Sequence, residues 1–221
     1  MLRLITMLTH NDSTVKNARD VFEACRDADC EFWGFKDVGL PKDQMRDLVS
    51  LMKDSGKKTF LEVVTLTEEG GLAGAELAIS CGFDYLLGTI YHDSILKLFS
   101  GTACKYMPFI GKVSGHPSIL EGNPEEIAEE GLQVQKAGVH GIDILAYRNK
   151  DKPVEIISQL VKKLDIPVVV AGSVNDFARI DEVKGLDPWA FTIGGAFFEQ
   201  KFVPGKDFKA QLVAVAEHLR K

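Results

Sequence analysis

Four charged side chains lie inside runs that are otherwise apolar, and a charge in such a place must be paired or used. Lys36 ends Gly34-Phe35-Lys36-Asp37, and Glu62 sits within Thr59-Phe60-Leu61-Glu62-Val63-Val64-Thr65. Lys112 follows Ile110-Gly111, and Asp143 stands between Ile142 and Ile144-Leu145. A lysine desolvated beside another cation gives up its proton more readily, and can act as a base or form an imine with a carbonyl. A neighbouring carboxylate can shuttle a proton next to that carbonyl. The competing reading is two structural ion pairs, Lys36 with Glu62 and Lys112 with Asp143, an arrangement that is weak as a stabilising device. His116, in Ser114-Gly115-His116-Pro117 just after Lys112, joins the catalytic candidates. His10 and His92 follow other apolar runs and say less, while His140 opens one and belongs at its far end.

A second chemistry is carried by glycines. Val170-Ala171-Gly172-Ser173-Val174 closes one apolar run, and Thr192-Ile193-Gly194-Gly195-Ala196-Phe197-Phe198 closes the next. Without side chains at these turns, backbone N–H groups approach an anion closely, the Ser173 hydroxyl can add to them, and a short helix opening near Ala196 contributes its positive end. Gly172, Ser173, Gly194, Gly195 and Ala196 are therefore the expected phosphate cradle. No tight His, Cys or Asp spacing marks a metal site, so neither a metal nor a cofactor is expected.

The elements that position these groups alternate without a break. Strand-like runs begin near Leu2, Cys30, Lys57, Phe83, Cys104, His140, Ile166 and Pro188, at spacings of 21 to 36 residues. Helix patterns fill the intervals at Ser13–Arg26, Pro41–Ser55, Glu68–Ser80, Asp93–Phe99, Pro124–Lys136, Pro153–Leu164, Asp176–Val183 and Asp207–Leu219. Start signals such as Asn123-Pro124-Glu125-Glu126 and stop signals such as Gly82 and Gly138 bracket them. Thr59–Val64 and Ile166–Ala171 are apolar almost throughout, as strands covered on both faces are. Eight such units predict a single α/β domain over residues 1–221, a (β/α)8 TIM barrel, with an open doubly wound sheet as the alternative. Chemistry in a barrel sits at the strand C-terminal ends. Alternation along a strand then sends Lys36 inward and Trp33 and Phe35 outward. It likewise sends Glu62 inward with Phe60, and Leu61 and Val63 outward.

Ile166-Pro167-Val168-Val169-Val170-Ala171-Gly172-Ser173-Val174, followed by Phe191-Thr192-Ile193-Gly194-Gly195-Ala196-Phe197-Phe198, resembles the end of the ribulose-phosphate-binding barrel superfamily. That group includes amino-acid-pathway isomerases, sugar-phosphate epimerases and sugar-phosphate decarboxylases. The resemblance implies a phosphorylated small molecule held by the glycine turns and leaves the reaction open. Metal-dependent epimerases of the group carry His and Asp where this chain has Lys36 and Glu62. Most imine-forming barrels carry their lysine on strand six, where this chain has Asp143.

Composition narrows the partners. With 26 Lys and Arg against 32 Asp and Glu, a net charge of −6 spread along the chain argues against nucleic acid and against a membrane surface. The four cysteines form no CxxC pair, and the start is too short for a secretory leader, so a reduced, cytoplasmic protein is expected. A homo-oligomer is compatible with this composition. The expectation is a lyase or isomerase acting on a small phosphorylated sugar or keto acid. The alternative is a non-catalytic barrel that senses a phosphorylated metabolite, and a flavin-binding barrel is a weaker third.

Overall fold

The computed structural model describes residues 2–115 and 118–221. Eight parallel strands close into a barrel: β1 (Arg3–Met7), β2 (Phe32–Lys36), β3 (Lys58–Val63), β4 (Tyr85–Ile90), β5 (Lys105–Phe109), β6 (Ile142–Ile144), β7 (Val168–Val170) and β8 (Ala190–Ile193). Each strand pairs with its sequence neighbours, and β1 closes the ring by pairing with both β2 and β8. The helices between them are α1 (Ala18–Cys25), α2 (Lys42–Asp54), α3 (Glu68–Cys81), α4 (Asp93–Leu98), α5 (Pro124–Ala137), α6 (Pro153–Lys163) and α7 (Phe177–Leu186). One turn, α8 (Gly195–Phe198), and the closing helix α9 (Phe208–Leu219) follow β8. This is a single (β/α)8 barrel.

Local chemistry sets the helix ends. Asn123 accepts the Glu126 N–H at 2.9 Å while the Glu126 carboxylate accepts the Asn123 N–H, a reciprocal cap on α5. Asp176 and Asp207 cap α7 and α9 in the same sense, each accepting an N–H three residues on. Gly82 and Gly138 end α3 and α5 in the left-handed conformation.

Strand alternation sorts the side chains into two layers. Ile5, Met7, Phe32, Phe60, Leu87, Met107, Val169 and Ala190 fill the barrel interior. Trp33, Phe35, Leu61 and Val63 point the other way and pack under the helices in the larger outer core.

Two expectations are corrected. The first helix does not begin at Ser13. Asn11 and Asp12 adopt left-handed φ values of 50° and 57°, so the chain makes a tight turn and Ser13–Thr14 pairs back on Thr9–His10 as a hairpin. The fifth strand does not run on through Lys112. Gly111, at φ 80°, breaks it and donates its N–H to Glu130 at 2.9 Å. Lys112–Ser114 then forms a second hairpin with Ile119–Glu121.

Candidate functional site

Lys36 closes β2, and the β2–β3 register sets its Cα opposite that of Glu62. Both side chains therefore enter the barrel mouth at one level. The Lys36 Nζ lies 2.8 Å from Asp12 Oδ1 and 3.4 Å from Glu62 Oε1. Asp12 reaches it because the first hairpin folds over β2: the Thr14 hydroxyl donates to the Lys36 carbonyl at 2.8 Å and accepts the Lys36 N–H at 2.9 Å. Burial alone would drive a proton off Lys36, but the charges of Glu62 and Asp12 outweigh it and hold the ammonium above its ordinary range. Lys36 is thus a fixed cation and not a neutral amine.

Asp143 lies deeper, on β6 between its neighbours Phe109 and Val169. It is wholly buried, and neither carboxylate oxygen has a hydrogen-bond partner among the described residues. Burial, reinforced by the charge of Glu62, raises its pKa well above the usual carboxylate range, against the opposing pull of Lys36 and Arg148. Burial thus disfavours its charged form.

Around these groups opens a cavity of about 310 Å³ at the C-terminal ends of the strands. Lys36, Glu62 and Asp12 line one side, and Gly172, Ser173, Gly194, Gly195 and Ala196 line the other. Gly172 and Ser173 both have left-handed backbone, at φ 78° and 60°. The Gly172 N–H donates to the Thr192 hydroxyl at 3.4 Å, joining the ends of β7 and β8. The one-turn helix α8 begins at Gly195, close to the expected position.

Other expected site residues are placed elsewhere. Lys112 is largely exposed on the second hairpin and pairs with Glu121 at 3.0 Å, so it meets neither Asp143 nor the cavity. Its displacement follows from the break at Gly111. His116 lies outside the described residues. His10 lines the cavity and faces Glu199 at 3.6 Å. His92 approaches Glu68 at 3.9 Å, and His140 accepts the Tyr106 N–H at 3.2 Å near the barrel floor. Among the described residues no group of three His, Cys, Asp or Glu side chains is arranged to hold a metal ion.

Asp12 and Arg148, both on the cavity wall, are not among the site residues expected from sequence. Asp12 was signalled by the Asn11-Asp12 dipeptide, since these residue types tolerate the left-handed turn of a tight hairpin. Arg148 lies in the 3-10 turn Ala146–Arg148 just after β6, and its signal was a charged residue on a strand-end loop.

No protein-family model matches the chain, and no curated protein matches it. Solved structures do. Orotidine 5′-phosphate decarboxylase from Pyrococcus horikoshii OT3 aligns with a TM-score of 0.73 at 12% identity, over 99% of this chain and 99% of that one. The native KDPGal structure gives 0.71 at 15% identity, over 99% and 95%. N-acetylmannosamine-6-phosphate 2-epimerase from Clostridium perfringens gives 0.65 at 12%, over 88% and 86%. At these identities the likeness is one of fold. The likeness of fold runs the length of the barrel, and no one family is singled out.

Proposed function

We propose that the protein is a lyase or isomerase acting on a small phosphorylated sugar or keto acid. The observation that carries this reading is one cavity with glycine turns on one wall and the Lys36–Asp12–Glu62 cluster on the other. Backbone N–H groups at Ser173, Gly194, Gly195 and Ala196, beside the turn at Gly172, bind the phosphoryl group, leaving the carbonyl end of the substrate at Lys36. Glu62, ion-paired to Lys36, removes the proton from the carbon beside the carbonyl. The electron pair of that C–H bond moves onto the carbonyl oxygen, and the Lys36 ammonium stabilises the resulting enolate. Return of a proton to carbon gives an isomer or epimer. Breaking a C–C bond instead would generate the same enolate, so one site suits either class. The ammonium state of Lys36 supports charge stabilisation over imine formation, a revision of the amine chemistry expected from sequence.

The test is incubation with a panel of ketose phosphates and keto-acid phosphates in D2O, read by NMR. Deuterium should appear next to the carbonyl of at least one compound, and Lys36→Met should slow this by about a hundredfold or more, the scale of one electrostatic donor. Borohydride should trap no adduct on Lys36. Binding without exchange or turnover would leave the metabolite-sensing alternative. If phosphorylated compounds bind no better than their dephosphorylated counterparts, the reading fails.

A further inference from the structure

The cavity wall holds a cation that the chemistry above does not use. Lys36 has two carboxylate partners, whereas Arg148 has no ion-pair partner among the described residues. The Arg148 Nη1 donates to the Ser118 carbonyl at 3.0 Å, which engages only part of the guanidinium. Its Nε lies against the turn after β7, and a Cβ added at Gly172 would fall 2.7 Å from it. Arg148 lines the main cavity with Gly172 and Ser173, and a smaller adjoining pocket with Lys36, Glu62 and Ser118. Tethering the second hairpin does not by itself account for this placement. The next residue, Asn149, already does so by donating Nδ2 to the carbonyls of Leu120 and Gly122, each at 3.3 Å. A planar guanidinium with donors to spare, set beside backbone turned by glycine, matches the oxygens of a phosphoryl group.

We propose that Arg148 is the side-chain anchor of the substrate's phosphoryl group, adding a charged fork to the main-chain cradle at Gly172-Ser173. This rests on the reading of the cavity as a phosphate site. It gives Gly172 a second role, because the space a methyl group would take there is the space Arg148 occupies.

The test is calorimetric titration of the full chain with inorganic phosphate. Arg148→Met should weaken binding about tenfold or more, as loss of a charge-assisted fork does. Arg148→Lys, which keeps the charge and loses the fork, should fall between this and the wild type. Lys112→Met removes the same charge at the exposed hairpin and should stay within about twofold of the wild type, because exposed charges there are screened. Gly172→Ala, which thrusts a methyl at Nε, should weaken phosphate binding as Arg148→Met does. Arg148→Lys carries the test if Arg148→Met does not fold. If Arg148→Met binds phosphate as the wild type does, the assignment of Arg148 is overturned and the cavity reading survives. If the wild type itself takes no phosphate, both are overturned.

Discussion

Asp143 is the most consequential single side chain outside the cavity wall. Its carboxyl is buried and without a hydrogen-bond partner, and its folded-state pKa is raised far above that of the unfolded chain. Between those two values the folded protein binds a proton that the unfolded chain has released, so stability falls as pH rises through that window. Asp143→Asn removes the titration and keeps the shape. The variant should therefore gain on the wild type with rising pH above about 4, by up to roughly 1.4 kcal/mol per pH unit. Urea unfolding from acid to neutral pH measures this, and a gap that does not change with pH would contradict it. Lys36 and Glu62 were legible in the sequence because alternation along a strand has only two faces, and an apolar run leaves little doubt which is which. Asp12 and Arg148 were not, since each reaches the cavity through a turn, where no periodicity tells which way a side chain points.

Among the elements, those with a strong internal signal were read nearly to the residue. The α5 start is the clearest, with Asn123, Pro124 and Glu126 supplying cap, first-turn proline and reciprocal carboxylate at once. Asn123→Ala should cost about 1 kcal/mol in urea unfolding, the usual cost of losing such a cap. An unchanged midpoint would mean that packing alone sets this helix start. The two hairpins were missed for a shared reason. Each is a few residues of pairing that hangs on left-handed backbone, at Asn11-Asp12 and at Gly111, and each was absorbed into the longer helix or strand beside it. The break at Gly111 takes Lys112 out of the site, and the turn at Asn11-Asp12 brings Asp12 in.

For the molecule as a whole, the net charge of −6 gives little account of the cavity, where two cations, Lys36 and Arg148, stand among three carboxylates, Asp12, Glu62 and Glu199. What closes the opposite end of the barrel is aromatic. Phe60 stacks on Tyr85 at 4.4 Å, and both lie within ring-contact distance of Trp189, with Phe32 beside them. Phe60→Ala should cost about 3–5 kcal/mol, since the closed ring of strands leaves little room for collapse. The chain has two tryptophans, and this floor holds one of them. The other, Trp33, is wholly buried on the outer face of β2 against Phe22. Neither indole lines the mouth, so their ultraviolet emission should stay silent when a ligand enters and shift strongly when the barrel opens. That makes the protein its own optical stability gauge, uncontaminated by whatever occupies its mouth.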